Sequence, residues 1–159
     1  MNLRLASPDD ISFLRALYYD RRAPELSVLG WPPAEQQAFV DMQFAAQQAG
    51  YAAAFPAADH WLVIIGDERV GRLLVGRRAD EHRVVDVVVR SSHRRLGIGT
   101  ALLREVMSEA ATARVPVRLS ALAHEHGLVG WYRRLGFVVR GEQGPSLALA
   151  WSAEPEKCG

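Results

Sequence analysis

The stretch from Val84 to Met107, "VVDVVVRSSHRRLGIGTALLREVM", holds the sharpest change of pattern in the chain. It opens on nearly unbroken valines, which imply a strand buried on both faces. A basic segment, "RSSHRR", and two glycines, Gly97 and Gly99, then lead into a helix. From there to about Ala113, Ile98, Leu102, Val106 and Ala110 fall on one helical stripe. "VPVRLSAL" supplies the next strand, completing a strand, helix, strand unit.

A helix start carries backbone N–H groups without intrahelical partners and the positive end of the helix dipole. Gly97 and Gly99 let the backbone curve closely around an anion, and Arg90, His93, Arg94 and Arg95 add positive charge beside it. Phosphate fits such a turn. A Walker A loop is excluded, because no lysine follows Gly99. A dinucleotide fingerprint is disfavoured as well. It needs its first glycine directly after the strand and a glycine or alanine at position 102, where this chain has Leu102.

Working outward, "HWLVIIGDERVGRLLVGRR" reads as two strands joined at Gly66-Asp67, forming a meander with the valine strand. Near the N-terminus "LRLA" is a short strand. "SPDD" starts a helix with Ser7 as cap and Pro8 at the first helical position, and Phe13, Leu14 and Leu17 share its face. A second helix is expected from Ala34 to about Gly50, with Phe39, Met42 and Ala46 at helical spacing. After the central unit, "LVGWYRRLGF" is a shorter helix ended by Gly136, and "FVVRGEQGPSLALAW" a closing hairpin. One domain over residues 1–152 with a C-terminal tail at 153–159 is expected.

Composition narrows the function classes. Of 159 residues, 49% are apolar and 23% charged, which is ordinary for a globular domain able to bury a core. No apolar run approaches a membrane span, and "MNLRLASPDD" lacks a secretory pattern, so a soluble cytoplasmic protein is expected. Nineteen basic residues against eighteen acidic ones give no global attraction to nucleic acid or anionic lipid. The single cysteine, Cys158, allows no internal disulfide and sits where a nucleophilic thiol is improbable. His124, Glu125 and His126 have neither zincin spacing nor cysteine partners, so no metal is expected.

Arg94-Arg95-Leu96-Gly97-Ile98-Gly99 fits the Arg/Gln-x-x-Gly-x-Gly/Ala signature of the GCN5-related N-acetyltransferases (GNAT), and "GWYRRLGF" is similar to that family's Tyr-x-x-x-Gly-Phe ending. The chain resembles that family over most of its length. The "MQFAAQ" segment resembles a bacterial subset of it and points to no particular substrate. The resemblance implies an α/β (α+β) acyl-CoA N-acyltransferase fold. Its sheet is mixed, mostly antiparallel and twisted, with six to seven strands and about four flanking helices. Two central strands, ending near Val89 and Leu122, splay to admit an acyl-CoA thioester. It also implies that the amides of Arg95, Leu96, Gly97, Ile98, Gly99 and Thr100 hold the pyrophosphate of acetyl-CoA, with Arg94 assisting. Val87 and Val89 would offer backbone groups to the pantetheine arm, and Val88 or Val89 an N–H to the developing oxyanion.

Acyl transfer to an amine needs a neutral nucleophile and a proton for the departing thiolate. By resemblance Tyr132 is the acid, and a core tyrosine on an amphipathic helix is the alternative. Asp86 is the one charged residue in the valine strand and needs a partner if buried. It is either a base or anchor at the acceptor side, or half of a structural ion pair. Glu125 stands where many relatives have asparagine, seven residues before the tyrosine, and is either a base or a helix-start acid. By resemblance the acceptor wall lies roughly between Tyr18 and Phe55, with Tyr19, Trp31, Gln43 and Gln47 as candidates, and packing or surface roles for them as the alternative. The resemblance implies an acetyl-CoA-dependent N-acetyltransferase acting by direct attack on a small-molecule, amino-acid-derived or peptide amine. A non-catalytic acyl-CoA sensor and a longer acyl donor are the alternatives. A homodimer pairing through the edge of "SLALAW" is also possible.

Overall fold

The computed structural model describes residues 1–154, and Cys158 lies outside them. The described residues form four α-helices and seven strands. They are β1 (Asn2–Leu5), α1 (Ile11–Ser27), α2 (Pro33–Ala54), β2 (Asp59–Ile65), β3 (Glu68–Arg77), β4 (His82–Val89), α3 (Ile98–Ala113), β5 (Val117–Leu122), α4 (His126–Arg134), β6 (Val138–Gln143) and β7 (Ser146–Trp151). The strands form one mixed sheet in the order β1-β2-β3-β4-β5-β7-β6. Antiparallel pairing joins β1 to β2, β5 to β7 and β6 to β7. β4 and β5 run parallel and pair only at His82–Val117 and Arg83–Arg118.

The chain divides into two compact units, Met1–Leu74 with Asp86–Ile98, and Val75–Val85 with the chain from Gly99 onward. In the first, Leu14 of α1, Phe44 of α2 and Leu62 of β2 form a buried cluster flanked by Ala6, Phe13, Tyr18 and Ile64. In the second, Leu102, Leu103, Val106 and Ala110 of α3 are buried, as are Leu119 of β5 and Leu149 of β7.

Local chemistry sets several boundaries. The Ser7 amide and hydroxyl donate to the Asp10 carboxylate at 2.8 and 3.3 Å. "PDD" therefore forms a 3-10 turn, and α1 starts only at Ile11. Gly66 turns the β2–β3 hairpin at φ +61 and Gly136 stops α4 at φ +105, conformations that favour glycine.

Two expectations are corrected. α2 buries Val40 and Phe44 rather than the Phe39, Met42 and Ala46 stripe, and Met42 is 62% exposed. Nor is "SLALAW" a free edge. β7 pairs along its length with both β5 and β6, so its backbone cannot recruit a second copy.

Candidate active site

The signature turn is built by tethers that differ from residue to residue. Where β4 ends, the Arg90 amide still reaches back to the Val70 carbonyl at 2.8 Å, and Ser91–His93 then coil into a short 3-10 turn. Asp20 of α1 holds that turn by accepting from the Ser91 amide at 2.8 Å and its hydroxyl at 2.6 Å. Desolvation acts to raise the Asp20 pKa, but those two bonds and the charges of Arg94 and Arg90 outweigh it and leave the carboxyl below its ordinary value. Arg94 donates from Nε to the Val89 carbonyl at 3.1 Å, so its side chain fixes the strand end that precedes the turn.

Arg95 and Gly97 are both left-handed, at φ 64 and 79, and α3 begins at Ile98. For Arg95, whose Cβ crowds in that region, the conformation costs about 1–2 kcal/mol. The first amides of α3 have no intrahelical acceptor. Residues Arg94 to Gly97 are exposed while Ile98 is buried, so the turn's basic, amide-rich side meets solvent and its helix is rooted in the core.

Gly99 and Thr100, in the first turn of α3, meet α4. A Cβ on Gly99 would lie 3.2 Å from Cη2 and Cζ2 of Trp131, tighter than most real Cβ contacts. The Trp131 indole N–H donates to the Thr100 hydroxyl at 3.0 Å. Tyr132 is 5% exposed, with its ring 5.0 Å from that of Trp131 and 5.7 Å from that of Phe137. Glu125 sits at the N-cap of α4, half-buried, and its side chain makes no capping bond. It stands just outside the helix, seven residues before Tyr132.

On β4, Val88 and Asp86 are buried, and Val87 and Val89 are half-buried on the opposite face. Gly71 of β3 admits the strand closely, since a Cβ there would collide with the Val88 carbonyl oxygen. Asp86 is fully engaged. Arg72 donates to its Oδ2 from Nη2 at 2.6 Å and Nε at 3.1 Å, and Arg21 reaches Oδ1 at 3.2 Å. The Arg72 guanidinium also donates to Gln47 and Gln48 of α2, both at 2.9 Å, and lies 5.6 Å from the Tyr51 ring centre. A buried cation, its carboxylate and two amides thus join β3, β4 and α2, and Arg21 ties in α1.

Of the predicted acceptor residues, Gln43 accepts from Arg22, Gln47 from Arg72, and Trp31 packs edge-on against Phe39 at 5.2 Å while staying 39% exposed. Tyr19 is half-buried. None of the four lines the cavity of about 310 Å³ beside the end of α2, which is walled by Gln48, Tyr51, Phe55, His60 and Leu74 among others. Burial and the Asp86 charge push the Tyr51 hydroxyl up to about 12, against the pull of Arg72 and Arg21. Burial, then the Arg72 charge, hold the His60 imidazole below its ordinary pKa.

Asp20, Arg72 and Trp131 escaped the sequence reading. Arg72 had a usable signal as the lone charge in "VGRLLVG", one strand away from the lone charge in "VVDVVV". The bonds of Asp20 and Trp131 depend on contacts between distant segments, and no local pattern marks them. Among the described residues no group of three or more His, Cys, Asp or Glu stands together to hold a metal, and no helix is long and apolar enough to cross a membrane.

Residues 56–139, more than half of the chain, match the Acetyltransferase (GNAT) domain family. No curated protein matches significantly. Among solved structures, the chain is similar to PaiA N-acetyltransferase from Thermoplasma acidophilum in complex with coenzyme A, with 11% identity, 95% of this chain and 98% of that one covered, and a TM-score of 0.70. It is also similar to Naa50 of Arabidopsis thaliana in complex with the bisubstrate analogue CoA-Ac-MVNAL, with 15% identity, 95% and 98% covered, and a TM-score of 0.62. A third is a GNAT family acetyltransferase from Elizabethkingia anophelis with acetyl-CoA bound, with 15% identity, 61% and 77% covered, and a TM-score of 0.54. The chain belongs to the GNAT acetyltransferase family and is an acyl-CoA-dependent N-acyltransferase.

Proposed function

We propose that this enzyme moves the acetyl group of acetyl-CoA to a primary amine of a small molecule, an amino acid derivative or a peptide. Attack is direct within a ternary complex in the cytoplasm. The observation that carries the reading is the turn at Arg95–Thr100. Two left-handed residues and the untied amides of a helix start lie together in the stretch that matches the family signature. Those amides hold the pyrophosphate. The basic side chains of Arg94 and Arg95 supply charge beside it, and Val87 and Val89 offer backbone groups to the pantetheine arm.

As the amine attacks, the thioester carbonyl becomes an oxyanion, and a β4 amide at Val88 or Val89 stabilises it. Collapse expels the coenzyme thiolate, to which Tyr132 gives its phenolic proton. Of the two acidic candidates, Glu125 is the one whose carboxylate makes no hydrogen bond or ion pair among the described residues. It therefore takes the proton from the amine, while Asp86, bonded to two arginines, anchors the strand. Tyr19 and Trp31 contribute to the acceptor wall, and Gln43 and Gln47 hold the arginines behind it.

The test is release of free coenzyme A from acetyl-CoA across small amines, amino acids and short peptides, with Tyr132→Phe alongside. One acceptor class should turn over, and the variant should lose about 10²–10⁴ in kcat. A folded Tyr132→Phe with full turnover would refute the acid role. Transfer from a longer acyl-CoA in preference to acetyl-CoA would refute the donor.

A further inference from the structure

We propose that Trp131 is a positioning residue for the coenzyme, fixing the Thr100 hydroxyl as a hydrogen-bond donor to a coenzyme phosphate. The inference rests on the acyl-CoA reading above. An indole nitrogen can only donate, so the 3.0 Å contact runs from Trp131 N–H to Thr100 Oγ1 and occupies a lone pair of that oxygen. The hydroxyl proton is left to donate elsewhere. No protein acceptor takes it among the described residues.

Thr112 of the same helix shows what a helical threonine otherwise does. Its hydroxyl donates to the Ser108 carbonyl at 3.2 Å, one turn back. Thr100 stands in the first turn of α3, beside amides that have no intrahelical acceptor either. An anion at this helix start would receive the Thr100 hydroxyl together with those amides.

The missing side chain of Gly99 lets the Trp131 ring pack close, because a Cβ there would stand 3.2 Å from Cη2 and Cζ2. The indole is thus held from two sides, by ring contact at Gly99 and by the hydrogen bond at Thr100. Thr100 accordingly stands in one orientation before the ligand arrives, which lowers the ordering cost of binding.

Calorimetric titration with coenzyme A, and competition by pantetheine, which lacks the phosphates, would test this. Trp131→Phe keeps a ring over Gly99 and removes the N–H, and Thr100→Val removes the hydroxyl while keeping the shape. Each should raise the Kd for coenzyme A about five- to tenfold and leave pantetheine competition unchanged, and the double variant should lose no more than either single one. Coenzyme A affinity within twofold of wild type in Thr100→Val would overturn the proposal. So would equal losses for pantetheine, or additive losses in the double variant. If the wild-type protein bound coenzyme A no better than pantetheine, the pyrophosphate reading would fail and take this proposal with it.

Discussion

Asp86→Asn decides between a carboxylate that does chemistry and one that holds the strand. Its side chain is 7% exposed and that of its partner Arg72 is 5% exposed, so the substitution leaves a buried guanidinium facing a neutral amide. Breaking a buried pair from one side costs about 3–5 kcal/mol. For a chain of this length each kcal/mol lowers Tm by about 2–4 °C, so the melt should fall by roughly 6–20 °C. Arg21 is 34% exposed at 3.2 Å from the same carboxylate. Arg21→Met should accordingly cost no more than about 1 kcal/mol. Replacing both buried partners, Arg72→Met with Asp86→Leu, should recover much of the loss, because an apolar pair needs no charge compensation. The assay is thermal unfolding of the three variants beside wild type, followed by kcat on whichever acceptor turns over. A general base would behave in the opposite way, losing about 10²–10⁴ in kcat with the fold intact. An Asp86→Asn protein that melts within about 2 °C of wild type but has lost its turnover would refute the anchor reasoning.

Gly71→Ala should lose about 1–3 kcal/mol, since its Cβ meets backbone that cannot rotate away. Gly50→Ala, inside α2 with open space around it, should gain up to about 1 kcal/mol. Chemical denaturation of the pair gives both signs, and a stable Gly71→Ala would contradict the packing of β3 against β4. Acid stability should depend on Asp10. The bonds from Arg4 first, then from the Ser7 amide and Arg69, hold its carboxyl well below the ordinary range despite burial. A depressed folded pKa means that stability is complete above the unfolded value of about 3.9 and is lost as pH falls towards the folded one. Tm measured from pH 6 to pH 2 should fall less steeply below pH 4 in Asp10→Asn than in wild type. Equal slopes would remove Asp10 from the acid response.

How far the sequence could be read follows from where each property is decided. The signature turn was legible because glycine conformation, helix-start donors and adjacent arginines are local properties of consecutive residues. The elements themselves were legible for the same reason, although the start of α1 moved to Ile11 when Asp10 capped Ser7. The buried face of α2 was not legible. Its inner side carries Gln47 and Gln48, which a count of apolar spacing assigns to solvent, yet both are held there by Arg72 of a distant strand. The position of β7 was hidden differently. The last strand in the chain need not be the last in the sheet, and β6, the strand before it, took the edge.

Asp86 lies between these cases, because its strangeness in a valine strand was visible while its partner was not. Arg72 stands fourteen residues earlier, as isolated among apolar neighbours as Asp86 is among valines. Two opposite lone charges on consecutive strands of a meander can face the same side of the sheet, and each makes the burial of the other affordable in desolvation terms. Either residue alone invites a catalytic reading. Taken as a pair, they point first to an ion pair, and the search for the base moves to carboxylates that no arginine already holds. That reasoning leads to Glu125, the N-cap of α4, seven residues before Tyr132.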